Sequence, residues 1–492
     1  MSEPKKQEKD FTPEVDALIP EAKSLAEAGR LQEAVDKLLG LEKQTRNAAD
    51  LAPTTRLLTT ITNLCYSAKD YDALSANITL LSKKHGQLKE SVKVMVEEAM
   101  SWLEPLKQEA GEPKWLQLVE TLRGVTEGKI FLETPRARVT LLLAKYHEHL
   151  SQNATATSTP SAKDSLQTAS DLLSDLQVET YSSMDRREKT EFLIEQMRLL
   201  VLVARVKDAE RKAKQATPDK EAEGKELLVA DGEAEWLKVR VGGRKVNEGF
   251  LTEPQNEVLR LTYYDLMIQF ALHGATPSYL DAAKYYYKVW ETPNVKEDVD
   301  GKGRQALEHI VYYVILAPHD NEQSDMLHKL AINPALSNLE LHNNLVKCFT
   351  TRELMRWPGI ESIYGPTLRA TAVYGSGGDG AGDKRWEDLH TRVIEHNIRV
   401  ISHYYTRITL PRLTSLLDLS QRETEDVLCR LVVDGTVHAK IDRPAGIVSF
   451  RGRRGAEDVM NEWATDVGKL MGLVEKTWMG MNAALAGRPR SS

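Results

Sequence analysis

Between residues 386 and 450 the hydrophobic period switches once from helical to alternating, and that switch restricts the fold more than any other feature of the chain. The segment opens with WEDLHTRVIEHNIRVISHYY, where Leu389, Val393, Ile394, Ile398 and Ile401 recur at spacings that place them on one helical face. Pro411, just after Ile408, suits the first turn of a short second helix, PRLTSLLDL, because a first turn leaves its amide hydrogens unbonded within the helix. Ser420-Gln-Arg-Glu423 is a capping-box sequence, in which the two side chains can each satisfy the other residue's backbone N–H. The helix it starts carries Val427, Leu428, Leu431 and Val432 and ends at the turn pair Asp434-Gly435. Val437, Ala439 and Ile441 then alternate with polar residues, Arg443-Pro-Ala-Gly446 turns the chain, and Ile447, Val448 and Phe450 return as a second strand. Three helices followed by a β-hairpin is the order of a winged helix.

A winged helix invites a nucleic-acid reading, which charge can decide. Phosphate contacts need a basic face. The third helix, 421–433, instead sets Arg422 and Arg430 against Glu423, Glu425 and Asp426, and the chain as a whole carries 65 Lys and Arg against 72 Asp and Glu, a net charge of -7. Arg451, Arg453 and Arg454 after the hairpin read as a solvated Gly-rich turn. The segment is therefore expected to work against protein, with no nucleic-acid partner; a winged-helix nucleic-acid binder is the alternative from another class. Cys65, Cys348 and Cys429 lie far apart, which argues for a reducing compartment and against disulfides or a zinc cluster. The sequence MSEPKKQEKDFTPEVD has no apolar signal core, and no run approaches the roughly 18 apolar residues of a membrane span. The expectation is a protein of the cytoplasm and nucleus with no membrane partner.

Upstream, the sequence reads as paired helices. AKSLAEAGRLQEAVDKLLGLEKQTR places Ala22, Leu25 and Ala26 before a turn at Gly29 and Leu31, Ala34, Val35, Leu38 and Leu39 after it, a tetratricopeptide-like pair whose small residues allow close approach. Similar pairs recur at roughly forty-residue spacing, one turning at Lys69-Asp70, so each pair can bury a face against its neighbours. The expected fold is mainly α: a TPR-like helical-repeat solenoid, then a winged helix, then a C-terminal helix. The expected boundaries are a disordered lead over 1–13, the solenoid over 14–372 with inserts near 151–162 and 207–232, a Gly-rich linker over 373–384, the winged helix over 385–452 and the last helix over 456–486. Met355-Arg356-Trp357-Pro358 reads as the close of a helix. On the last helix Met460, Trp463, Val467, Leu470, Val474, Thr477 and Met481 form a heptad-like seam that Thr477 weakens.

Catalytic and cofactor chemistry finds no foothold. Gly375-Ser-Gly377-Gly-Asp-Gly380 matches G-x-G-x-x-G only formally, because no strand precedes it and Asp379 and Asp383 would repel a pyrophosphate. His147-Glu-His149 places its imidazoles on different sides of a helix, unlike a zinc-binding i, i+4 pair. His390, His396 and His403 are out of phase for one metal, and His319-Asp320 has no serine nucleophile motif near it. Tyr285, Tyr286, Tyr287 and Trp290 read as helix packing. No enzyme activity, metal or cofactor is expected.

The layout, together with GRLQEAVDKLLGLEKQTR, LQVETYSSMDRREKTEFLIEQMRLL, VILAPHDNEQSDMLHKL, ELMRW, KRWEDLHTRVIEHNIRVISHYYTRIT and DRPAGIVSF, resembles PCI-domain proteins. These are scaffold subunits of the proteasome lid, the COP9 signalosome and translation initiation factor three, and the quoted segments are most similar to the lid members. The departures are the inserts near Ser151 and near 209–232. The resemblance implies a non-catalytic lid scaffold of the 26S proteasome regulatory particle that supports ubiquitin-dependent degradation. It also implies winged helices packed side by side, C-terminal helices gathered in a bundle, and as partners PCI and metal-dependent deubiquitinase-type lid subunits, the base and the core particle. A PCI subunit of the COP9 signalosome is the alternative within the class. The residues implied at the interface are Val437, Ala439, Ile441, Ile447 and Phe450 through a strand edge, and Met460, Trp463, Val467, Leu470 and Val474 through the apolar stripe.

Overall fold

The computed structural model describes residues 11–153, 162–216, 225–274, 276–298, 301–375, 380–450 and 455–486. The chain is mainly α, and it divides into two compact units, Met1–Phe270 and Ala271–Ser492. That division falls inside the stretch expected as one solenoid over 14–372. Residues 11–13 of the expected lead are ordered as well: the first helix is Thr12–Glu27 and Phe11 is buried, while 1–10 lie outside the described residues.

The first unit begins as a repeat of one turn geometry. The helices Thr12–Glu27, Leu31–Asn47, Leu51–Ser67 and Tyr71–Lys83 are separated by Gly29, Ala49 and Lys69, all left-handed, with φ of 79°, 56° and 57°. After each, the next N–H reaches back five residues, Arg30 to Leu25, Asp50 to Thr45 and Asp70 to Cys65, at 3.0–3.2 Å. This is a Schellman close, which satisfies carbonyls that the helix end would otherwise leave unbonded. Ala34, Val35, Leu38, Leu57, Ile61, Leu74 and Ile78 are thereby turned into one core. Glu42, fully buried on the second helix, receives Arg46 at 3.1 Å and Lys84 at 2.8 Å, so its charge is paired twice within that core.

Further along this unit, Arg198 forks onto Glu148 at 2.7 and 2.6 Å, tying the helix Arg186–Ala216 to Glu133–Asn153. The charged stretch 207–232 falls on Arg186–Ala216 and Lys225–Lys245, with 217–224 outside the described residues. Its near end packs firmly, because Trp236 Nε1 donates to Asp208 Oδ2 at 2.8 Å and Lys207 meets Glu235 at 3.2 Å. Of the Ser/Thr-rich stretch 151–162, 154–161 lie outside the described residues.

In the second unit the helix Lys302–Leu316 is almost wholly buried from Ile310 to Leu316. Beside it runs Ala381–Tyr404, joined by Arg392 Nε donating to the Leu316 carbonyl at 3.1 Å, while Tyr279 OH, on the helix Tyr279–Trp290, donates to Asp388 at 2.7 Å. Asn397 clamps an extended segment: its Oδ1 accepts from Met355 N at 2.8 Å and its Nδ2 donates to Met355 O at 2.7 Å. This corrects the expected helix end at Met355-Arg356-Trp357-Pro358. The preceding helix stops at Thr350, and Pro358 sits in the first turn of Trp357–Arg369. The expected linker 373–384 is also corrected. Val373 and Tyr374 are buried, the long helix already begins at Ala381, and a side chain at Gly382 would fall on the Gly375 carbonyl oxygen. Residues 376–379, with most of the formal G-x-G-x-x-G match, lie outside the described residues.

The winged helix uses the other side of Ala381–Tyr404. Ile394, Ile398 and Ile401 join Ile408, Leu413, Leu417, Leu428, Leu431, Val448 and Phe450 in one small core. Its second and third helices are Leu410–Leu417 and Gln421–Val433, the latter opened by the Ser420–Glu423 capping box. The sheet has three strands, β1 Arg407–Thr409, β2 Lys440–Asp442 and β3 Ile447–Ser449, in the order β1-β3-β2. Ile408 and Ile441 both pair with Val448, antiparallel, from opposite sides.

Two outcomes follow. Gly382→Ala forces overpacking against a backbone carbonyl and should cost about 1–3 kcal/mol by urea unfolding. His396, buried under Phe349, has its pKa pushed from the ordinary 6.5 to about 4, first by desolvation and then by the Arg399 charge. The unfolded chain therefore takes up this proton before the native one does. Stability is full above the unfolded value and falls as pH drops toward about 4, losing about 1 kcal/mol on this account by about pH 5.5. His396→Gln should flatten that slope.

Candidate assembly interface

The helix Ala456–Ala486 presents an apolar surface that no described residue of this chain covers. Good helix formers fill it, Glu457 and Asp458 favour its positive N-terminal end, and Asp466 pairs with Lys469 at 3.1 Å along its side. From Ala456 to Leu485 every residue is exposed except Gly472, which is half-buried. Met460, Trp463, Leu470 and Val474 are each more than half exposed, and Val467 is 40% exposed. Val459, Met471, Trp478 and Leu485 are exposed on the same side. The stripe is thus wider than the seam read from spacing alone. A 3.6-residue period brings these four beside the seam, whereas a strict heptad leaves them out. Thr477 interrupts it mildly, because its hydroxyl donates to the Leu473 carbonyl at 2.6 Å.

The hairpin residues behave differently. Val437 and Phe450 are buried in the winged-helix core, and Ala439 and Ile441 pack partly against it. Ile447 lies in β3, the central strand, whose register is filled on both sides. β1 is the cause. The reading of 437–450 as an isolated hairpin left one side of the returning strand open, and Arg407–Thr409 occupies it. The open edge is β2 alone on that side, and Ala439 precedes β2, outside the paired register. What the winged helix does expose is Val433, 84% exposed, above a groove lined by Cys429, Val432, Ile441 and Pro444. Val433 falls opposite the buried face of its helix, formed by Thr424, Leu428 and Leu431, at the last position before the turn, and the sequence reading gave it no role. Charge on this face is mixed: Arg443 on the turn meets Glu425 at 3.2 Å, and Glu423 is held by Ser420, whose hydrogen bonds lower its pKa. Arg451, Arg453 and Arg454 lie outside the described residues.

Of the other polar residues singled out by sequence, His319, His396 and His403 line one pocket, while the rest do not converge. Glu148, between His147 and His149, is taken by Arg198, and His149 meets Asn153. His390 lies against Trp357 with ring centroids 4.4 Å apart, and His403 accepts from Arg352. Tyr286 stacks on His309 and Tyr313, and Tyr287 lies against Trp290. Among the described residues no group of His, Cys, Asp or Glu could hold a metal ion, and no helix is long and apolar enough to cross a membrane. All three cysteines are free thiols.

Residues 33–298 match the family described as PSMD12/CSN4, N-terminal, 341–451 match the PCI domain, and 457–478 match the 26S proteasome regulatory subunit RPN5 C-terminal domain. The PCI match thus starts at the helix Glu340–Thr350, well before the winged-helix boundary of 385. The chain is 37% identical over 472 residues to the 26S proteasome regulatory subunit RPN5 of Saccharomyces cerevisiae, covering 96% of this chain and 95% of that protein. It is 35% identical over 472 residues to the 26S proteasome non-ATPase regulatory subunit 12 of Dictyostelium discoideum, covering 96% and 94%. COP9 signalosome complex subunit 4 of Arabidopsis thaliana is 26% identical over 207 residues, 41% of this chain and 49% of that protein.

Because almost every described residue of the terminal helix is exposed, removing it should leave the remainder's stability unchanged. A chain ending at Gly455 should keep its thermal midpoint to within about 1 °C and show weaker binding of a hydrophobic dye. A large drop in midpoint would mean that the stripe packs within the chain.

Proposed function

This chain belongs to the RPN5/PSMD12 family of PCI-domain proteins, and on that premise we propose that it is a non-catalytic scaffold subunit in the lid of the 26S proteasome regulatory particle, supporting ubiquitin-dependent degradation. The observation that carries the reading is the exposed stripe on Ala456–Ala486, on the segment that matches the RPN5 C-terminal domain. A large apolar side chain gains about 1.5–3 kcal/mol on full burial, so a stripe of this width has a strong drive to be covered by partner helices. In this reading the stripe joins a bundle with the terminal helices of other lid subunits. The winged helix meets a neighbouring PCI subunit through the β2 edge and Val433. The helical pairs reach a metal-dependent deubiquitinase-type subunit, the base and the core particle. The acidic third helix, with Arg443 already engaged by Glu425, speaks for protein and against nucleic acid as the partner. The protein works in the cytoplasm and nucleus, without a membrane partner and without catalysis of its own.

The test is a tagged chain carrying Leu470→Glu and Val474→Glu, recovered from cells and weighed intact by native mass spectrometry. Two lost burials of about 2 kcal/mol each weaken association roughly a thousandfold. The expected outcome is an otherwise folded chain that no longer co-purifies with proteasome subunits, while the unaltered chain brings down masses of a lid and not of a signalosome. Full incorporation of the doubly charged variant would overturn the bundle.

A further inference from the structure

On Ala381–Tyr404, His396, Arg399 and His403 share one face, opposite the isoleucines that enter the winged-helix core. That face is one wall of a pocket of about 590 Å³. His319 and His328 line it from a second element, and Arg352, just past the helix Glu340–Thr350, from a third. Arg352 donates to His403 Nε2 at 2.8 Å, which uses one of its five N–H groups. The Nε of Arg399 is buried and has no acceptor.

Negative charge is short here. Among the described residues neither Arg352 nor Arg399 forms an ion pair. Two neighbouring carboxylates are committed elsewhere, Glu395 to Arg392 at 2.6 Å and Asp320 to the N–H of Asn321 at 2.7 Å. The titration behaviour agrees with this shortage. Burial pushes Arg399 down to about 10, and burial followed by the Arg399 charge lowers both His319 and His396. A guanidinium held this way, with a donor unspent, is stabilised by an anion that accepts from it.

We propose that this pocket binds a phosphate group, supplied by inorganic phosphate or by a small phosphate monoester. The two guanidiniums enter from different places in the chain, Arg399 from Ala381–Tyr404 and Arg352 from just past Glu340–Thr350. A carboxylate offers two oxygens in a plane, whereas a tetrahedral dianion offers acceptors to the Arg352 and Arg399 guanidiniums together; the N–H of His396 is spent on the Glu353 carbonyl and that of His319 on Gln323 Oε1. None of these residues lies on the terminal helix or in the β2 groove, so the proposal stands apart from the assembly reading and its failure would leave that reading intact.

The test is isothermal titration of the full chain, at fixed ionic strength, with inorganic phosphate in one arm and glycerol phosphate in the other. The expected result is saturable one-to-one binding in at least one arm, and the tighter arm identifies the source. Arg352→Gln, at an exposed position whose loss does not threaten folding, should weaken that binding at least tenfold. Arg399→Met should abolish it, and Arg30→Gln, in the first unit, should leave it unchanged. No saturable binding in either arm, or binding undiminished in Arg352→Gln, would overturn the proposal; if Arg399→Met fails to fold, Arg352→Gln alone decides.

Discussion

A helix of 24 residues that gives Ile394, Ile398 and Ile401 to the winged-helix core, and Asp388 and Arg392 to the helices before it, cannot shift without opening both sides. Much of the second unit follows from that double commitment. The Asn397 clamp fixes the extended segment around Met355, which brings Trp357 onto His390 and near Trp386. Tyr374, fully buried against Tyr312 and Trp386, then closes the approach to the helix. A winged helix attached by a free tether would diffuse relative to the helices before it. Here the polar ties and the ring packing remove that freedom, at the cost of burying several polar groups that must all find partners.

Periodicity made legible what a single helix face or a named turn decides. The Gly29 and Lys69 turns, the Ser420 capping box and the winged-helix order were all readable, since each rests on interactions within a few residues. The stripe on the terminal helix was readable for the same reason, apart from its width. What was not legible depended on contacts distant in sequence. β1 is three residues long, too short for alternation to register, and only its pairing with β3 some forty residues later makes it a strand. Its absence from the reading turned a central strand into an apparent edge and sent Val437 and Phe450 to an interface when they serve the core. The glycines near Gly375 and Gly382 looked like a spacer by composition, yet Gly382 is there because a carbonyl occupies the place of its side chain.

The two kinds of surface in this chain differ in how their free energy is held. In the first unit, ion pairs such as Arg198 with Glu148 and Arg138 with Glu188 join neighbouring helices in a way that is already satisfied. The terminal helix holds its apolar area in reserve. Its regular backbone hydrogen bonds are made within the segment, so a partner meets a shape that is already regular and is spared the backbone ordering that a disordered tail would require.

Tryptophan placement gives that helix an optical consequence. Of the eight tryptophans, Trp102, Trp115, Trp236, Trp290 and Trp386 are buried and Trp357 is half-buried. Only Trp463 and Trp478 stand in solvent, both on the apolar stripe. Indole emission shifts to the blue when water is removed from the ring, so the red edge of this protein's intrinsic fluorescence belongs to a single helix. While the interior stays folded, the chain carries a built-in reporter that responds when the stripe is covered.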